Sequence, residues 1–308
     1  MKLAALDVGT NTILMLVAEQ TADGSLRKLG DFARITRLGS GVDASGKLSP
    51  EAASRTLDTI AEFVAKARGL GAEKILTAAT SALRDAQDGA AFIARAKERC
   101  GVDLDIISGE TEAQLSYLSS IKGLKLDPAG KILIVDIGGG STELIRAQPG
   151  GAIDGVSLQI GSVRLTERFI HSDPPGAREA IELRLAIDQA LGGLRWNFQP
   201  DVMVGIAGTV TTVCAVALDL AVSDPDRVHG YELSERQVLQ AIARLGGVGL
   251  EERKLLPGVK EGRADVIFAG AAILERIMAH FNITRVIVSD HGVRWGLIWR
   301  ELEKTSAN

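Results

Sequence analysis

Two cysteines in 308 residues, Cys100 and Cys214, are too few and too far apart for a disulfide framework or a thiolate zinc site. Neither is followed six positions later by arginine, which excludes the phosphate loop of a cysteine phosphatase. The four histidines, His171, His229, His280 and His291, show no metal-ligand spacing and read as structural or surface residues. No Gly-x-x-x-x-Gly-Lys-Ser/Thr occurs, which argues against a Walker-type nucleoside triphosphatase. Positive charge is also in short supply: 35 Lys and Arg against 39 Asp and Glu leave a net charge of -4. No global field therefore recruits nucleic acid or a membrane surface, and an anionic substrate must be met by local basic groups. Long apolar runs are missing as well. The first such stretch reaches Asp7 too soon for a signal-peptide core, so a cytoplasmic location is expected. The uncharged run from Val202 to Leu218 is interrupted by Gly205, Gly208 and threonines, and reads as buried strand, loop and helix.

What remains is globular: 46% hydrophobic and 24% charged residues, in a chain long enough for two domains with their own cores. Lys2 to Leu6 and Ile13 to Ala18 are β-prone runs joined by a polar tip, Asp7-Val8-Gly9-Thr10-Asn11-Thr12. Ser49-Pro50-Glu51 supplies an N-cap, a first-turn proline and an early acid, and so predicts a helix running toward Gly69. A strand at Lys74 to Thr77, a helix over Ala90 to Arg99, a strand at Asp103 to Ile107 and a helix from Ser108-Gly109 to near Gly123 continue the alternation of an α/β protein. Polar residues, Pro128 and glycines between Lys122 and Gly130 interrupt the pattern, which restarts at the strand Lys131 to Val135. The domains expected are 1–122 and 123–292, with a last helix over 293–308 crossing back onto the first. Further helices are expected near Ala177 to Leu194, Glu235 to Leu245, Asp265 to Phe281 and Val293 to Glu303, with strands near Val202 to Ile206 and Thr284 to Val288.

Val135-Asp136-Ile137-Gly138-Gly139-Gly140-Ser141-Thr142 repeats the logic of the first tip: apolar strand, Asp, apolar residue, Gly, small and hydroxylic residues, strand. One such loop is equally a tight hairpin or a phosphate cradle. Two copies favour the cradle, because glycines let consecutive backbone N–H groups approach phosphate oxygens. Asp7, Asp136 and Glu143 then offer hard oxygen ligands for Mg. Gly205-Ile206-Ala207-Gly208-Thr209 follows a strand and opens a helix, either to hold an anion or to pack strand closely against helix. Ser289-Asp290-His291-Gly292-Val293-Arg294 repeats that arrangement, with Arg294 placed either to grip phosphate bidentately or to pair with a carboxylate. Glu110 and Glu112 read by themselves as a charge pair at a helix N-terminus.

Together with Thr80-Ser81-Ala82-Leu83-Arg84 and Ser108-Gly109-Glu110-Thr111-Glu112-Ala113, these motifs resemble, in order and over nearly the whole chain, the exopolyphosphatase and guanosine pentaphosphate phosphatase family. That family belongs to the actin-like superfamily of sugar kinases and heat-shock ATPases. The resemblance implies two actin-like, ribonuclease H-like α/β domains with the active-site cleft between them. It implies Glu112 as the catalytic base and Arg84, Gly9, Thr10, Asn11, Gly138, Gly139, Gly140, Ser141, Thr142, Gly208, Thr209 and Arg294 as contacts to substrate phosphates. It also implies Mg on Asp7, Asp136 and Glu143. Many relatives carry two adjacent glutamates where this chain has Thr111 and Glu112. The activity expected is Mg-dependent removal of the terminal phosphate of inorganic polyphosphate. The alternatives are hydrolysis of guanosine pentaphosphate at its 5' end and a non-hydrolytic nucleotide or polyphosphate sensor. A cytoplasmic homodimer that binds neither nucleic acid nor membrane completes the expectation. His229-Gly230-Tyr231 also resembles a family segment, without an assignable chemistry.

Overall fold

A computed structural model describes residues 1–127, 129–149, 153–221, 224–260 and 262–306. Pro128, one of the expected boundary residues, lies outside that set. The chain forms two compact units, Met1–Ser119 with Val293–Asn308, and Ser120–Gly292. The elements of the first are β1 (Lys2–Val8), β2 (Thr12–Gln20), β3 (Leu26–Ile35), α1 (Val42–Ser45), α2 (Pro50–Gly69), β4 (Lys74–Ala79), α3 (Ser81–Asp85), α4 (Gly89–Cys100) and α5 (Gly109–Leu124), within which the division falls. The second contains β5 (Ile132–Ile137), β6 (Thr142–Ala147), β7 (Ile153–Leu158), α6 (Ser162–Phe169), α7 (Ala177–Gly192), β8 (Val202–Ile206), α8 (Ala207–Ala217), α9 (Pro225–Val228), β9 (Glu232–Ser234), α10 (Glu235–Gly246), α11 (Leu250–Arg253), α12 (Ile267–His280) and β10 (Arg285–Val288). The last helix, α13 (Val293–Ser306), returns to the first unit.

The two sheets repeat one topology. The first has the order β3-β2-β1-β4 and the second β7-β6-β5-β8-β10-β9. In each, three strands form an antiparallel meander and a fourth joins the first strand in parallel. Ile106, bridged in parallel to Ala79, stands where β10 stands beside β8. This is a duplicated α/β architecture, as the repeated Asp-x-Gly tips lead one to expect.

Period-two alternation sorts the core of the first unit. Ala4, Leu6 and Val8 of β1 pack with Leu57, Ile60 and Phe63 of α2 and with Phe92 of α4. Leu3 and Ala5, which point the other way, pack with Leu115 of α5 and with Trp295, Ile298 and Leu302 of α13. Every residue of β5 is buried, as a strand covered on both faces requires. Its neighbours on α7, α8, α10 and α12 form one large cluster.

Most expected elements appear within a few residues of their expected ends. Ser49 caps α2 by accepting from the Ala52 N–H at 3.1 Å. The strand expected at Asp103 to Ile107 is reduced to an isolated bridge. The Thr77 hydroxyl donates to the Asp103 carbonyl at 2.8 Å and accepts from the Asp105 N–H at 3.1 Å, occupying groups that a ladder would pair. The elements β3, β7 and α6 had no clear signal in the sequence. Among the described residues no helix is long and apolar enough to cross a membrane.

Candidate active site

The tip between β1 and β2 is closed by a bond from the Gly9 N–H to the Thr12 carbonyl at 3.1 Å. A Cβ on Gly9 would come within 2.9 Å of that carbonyl oxygen, so only glycine fits without a shift. The loop carbonyls are held from behind: Asn11 O accepts from Thr36 and Arg37, and Thr10 O accepts from Gly39. The Thr10 and Ser81 hydroxyls meet at 2.8 Å. Two buried polar atoms here, Asp7 Oδ1 and Asn11 Nδ2, have no hydrogen-bond partner. Burial pushes the Asp7 carboxyl up to about 7, against the pull of the Arg294 guanidinium. Arg294 takes the carboxylate option. Its Nε and one Nη each donate to Asp31 at 3.1 Å, so the guanidinium expected on phosphate is held in a bidentate pair at the start of α13.

Arg84 lies on α3, the single turn that follows β4, and its Nη1 donates to the Ile107 carbonyl at 2.9 Å and to Glu112 Oε2 at 3.4 Å. Its Nη2 is buried with no hydrogen-bond partner. Glu112 is only 7% exposed and sits in the first turn of α5, which Ser108 caps by accepting from the Thr111 N–H. Unpaired N–H groups at a helix start favour a carboxylate there. Glu110, its rival in the sequence, is exposed and meets Gln114 at 3.5 Å. Of the two glutamates, Glu112 is the buried one and the one in contact with an arginine.

The second tip reproduces the first. The Gly138 N–H donates to the Ser141 carbonyl at 3.0 Å. The Gly138 and Gly139 carbonyls accept from the first N–H groups of α6, and the Gly140 carbonyl accepts from Arg164 Nε at 2.6 Å. With the Gly138 N–H used to close the tip and the three glycine carbonyls engaged by α6, the N–H groups of Gly139 and Gly140 are the backbone donors this loop can offer an anion. Asp136 and Glu143 stand directly opposite one another in the β5–β6 register, both buried. The register sets their side chains next to each other on one face of the sheet. Ser157 steadies Glu143 by donating to Oε1 at 2.8 Å. Two adjacent buried carboxylates suit a small divalent cation with oxygen ligands.

Two expected phosphate contacts are otherwise engaged. The Thr142 hydroxyl donates to the Ile160 carbonyl at 2.5 Å and the Thr209 hydroxyl to the Ile137 carbonyl at 2.8 Å, because both point inward from fully packed positions. Gly208, at the start of α8, is overlaid by the Arg263 guanidinium where a Cβ would stand. Burial lowers Arg263 to about 10. Ala207 just before it has a φ of 65°, a strained value for a residue with a Cβ at a strand-to-helix turn. Arg164 and Ser157 carry no signal in the sequence, since each acts through a partner distant along the chain. His229, Asp290 and His291, which the sequence reading left without metal-ligand spacing, come together as one cluster.

The description Ppx/GppA phosphatase family matches residues 16–305. A Mycobacterium tuberculosis protein named exopolyphosphatase 2 is 33% identical, over 96% of this chain and 97% of its own length. A Photobacterium profundum protein named guanosine-5'-triphosphate,3'-diphosphate pyrophosphatase is 29% identical, over 98% of this chain and 59% of its own. The crystal structure of an Aquifex aeolicus Ppx/GppA family member superposes with a TM-score of 0.84 at 31% identity, covering 99% of this chain and 98% of that one. With a family match across nearly all of its length, this chain belongs to the Ppx/GppA phosphatase family.

Proposed function

We propose that the protein is an exopolyphosphatase that hydrolyses the terminal phosphoanhydride bond of inorganic polyphosphate with Mg as cofactor. The observation that carries this reading is the part-buried Arg84–Glu112 pair, which sets a buried carboxylate beside a guanidinium whose Nη2 has no hydrogen-bond partner. Asp136 and Glu143 are the residues that would hold Mg, which when bound offsets charge on the phosphate oxygens.

The protein's own groups do the rest. The backbone N–H groups of Thr10 and Asn11 at the first tip and of Gly139, Gly140 and Ser141 at the second are the donors for phosphate oxygens, the Gly9 and Gly138 N–H groups being used to close the tips. Arg84 directs Nη2 to the terminal phosphate. Glu112 accepts a proton from the water as the water oxygen attacks phosphorus, and the bond to the bridging oxygen breaks to release orthophosphate and a chain one unit shorter. Phosphoryl transfer depends chiefly on positioning and electrostatics, so no covalent enzyme intermediate is needed. A base in place contributes roughly a hundred- to ten-thousand-fold in rate.

The Photobacterium relative favours a second reading, removal of the 5'-terminal phosphate of guanosine pentaphosphate. A non-hydrolytic sensor needs no base, and Glu112 argues against it. Orthophosphate release from polyphosphate, guanosine pentaphosphate and ATP, each with Mg and no acceptor, ranks these readings. Glu112→Gln should lower turnover on the preferred substrate by about a hundred- to ten-thousand-fold with KM little changed. Near-parental turnover in that variant would remove Glu112 from the role of base.

A further inference from the structure

The cluster at the C-terminal end of β10 is built from segments distant in sequence. The loop after α9 delivers His229: the Gly230 N–H donates to the Val288 carbonyl at 2.8 Å and the Val288 N–H to the Tyr231 carbonyl at 2.9 Å. On the other side the Ser289 N–H donates to the Gly205 carbonyl at 2.9 Å, and Ser289 Oγ accepts from the His291 N–H at 3.1 Å. Main-chain bonds therefore fix both ligand-bearing segments before any ion arrives. The His229 and His291 rings stack with centroids 4.3 Å apart. Gly123 near the end of α5 makes room for them, since a Cβ there would collide with the His291 ring.

Asp290 Oδ1 lies 2.9 Å from His229 Nδ1 and 3.6 Å from His291 Nε2, and one ligand atom from each of the three residues lies within 4.8 Å of the others. Donors about 2.1 Å from a tetrahedral ion sit about 3.4 Å apart, a spacing that the two shorter distances bracket. His229 Nε2 faces the Gly123 carbonyl at 3.4 Å. A carbonyl can only accept, so this contact puts an N–H on Nε2, and in the neutral ring the Nδ1 lone pair then faces the carboxylate. A neutral imidazole nitrogen and a carboxylate oxygen at 2.9 Å need a positive charge between them, and a proton or a metal ion supplies it. Metal-ligating histidines are commonly oriented by this kind of carbonyl contact on the far nitrogen.

We propose that His229, Asp290 and His291 bind one borderline divalent transition ion of the Zn2+ class, at a site separate from the carboxylate pair of Asp136 and Glu143. Two imidazoles and one carboxylate select such an ion over Mg, which prefers an all-oxygen shell. Three protein ligands leave a fourth position for water or for an anion oxygen. The ion would tie together the loop after α9 and the end of β10, while the carbonyl contact links α5 to the same point. Its binding competes with protons, because both imidazoles must be neutral to ligate.

The test uses the whole chain, stripped with chelator and titrated with Co2+ in excess Mg to keep the oxygen-rich sites occupied. Bound metal per chain and the visible ligand-field spectrum are read together. One equivalent of Co2+ with an intense low-coordination spectrum, displaced by Zn2+, is the expected result. His229→Gln and His291→Gln should each weaken binding at least tenfold, and Asp136→Ala should leave the spectrum in place. Asp290→Asn, which preserves shape, removes the central ligand charge and guards against a histidine variant that fails to fold. Absence of a bound ion in the parent, or an unchanged spectrum in both histidine variants and Asp290→Asn, would overturn the site and leave His229 and Asp290 sharing a proton.

Discussion

The two Asp-x-Gly tips share a backbone and differ in what surrounds the aspartate. Gly9 to Thr12 and Gly138 to Ser141 close with the same bond, 3.1 and 3.0 Å, and each loop has its carbonyls held from behind by the segment that follows its meander. Opposite Asp7 in the register stands Leu14; opposite Asp136 stands Glu143. The first aspartate is therefore a single carboxylate in apolar surroundings with an arginine in range, and the second is half of a buried acidic pair. The repeated fold gives both tips the same closing bond, while one cross-strand residue, Leu14 or Glu143, sets how much negative charge stands beside the aspartate.

The largest effect that sharpens this contrast is on catalysis. Asp136→Ala should lower Mg-dependent phosphate release about a thousandfold, and Glu143→Leu, which installs the residue found opposite Asp7, should raise the Mg concentration needed for half-activation at least tenfold. Phosphate release across a Mg titration is the measurement, and full activity of either variant at sub-millimolar Mg would place the ion elsewhere.

A smaller effect concerns Asp7 in divalent-free buffer. Its folded pKa, about 7, is raised above the ordinary 3.8, so its contribution to stability is fully present below pH 3.8 and is lost as pH rises through 7. Asp7→Asn should match the parent near pH 4 and be more stable above pH 7. Three pKa units bound the gain at about 4 kcal/mol, and solvent access to the tip makes about 2 kcal/mol the expected value. Thermal midpoints from pH 4 to 9 check it; a parent that is the more stable at pH 8 would show that Arg294 outweighs burial.

The smallest effect compares the glycines. The added Cβ of Gly9→Ala meets Thr12 O at 2.9 Å, that of Gly138→Ala meets Ser141 O at 3.1 Å. Gly9→Ala should cost about 2 kcal/mol and Gly138→Ala about 1 kcal/mol, read from denaturant midpoints. Equal costs would mean that the first loop relaxes as readily as the second.

Much of this molecule follows from local rules. Capping and proline placement set the start of α2, and apolar runs bounded by Asp-x-Gly set β1, β2, β5 and β6, because a cap or an alternating strand acts over only a few residues. The repeat of the tips could be read by eye, and with it the duplicated sheet. The same reading passed over β3 and β7, outer strands whose mixed polar residues lack a clean alternation.

At the candidate site, the sequence by itself determined which residue types stand at the two tips and that Glu112 begins a helix. Only the tertiary structure decided their surroundings. It paired Arg84 with Glu112 across 28 positions, turned Arg294 onto Asp31 across 263, and gathered His229 with Asp290 and His291 from opposite ends of a long segment. It also turned the hydroxyls of Thr142 and Thr209 into the core. The physical reason is range. Backbone conformation answers to neighbours a few residues away, whereas a side chain's charge, burial and hydrogen-bond partners are set by whatever the completed fold brings within a few ångströms.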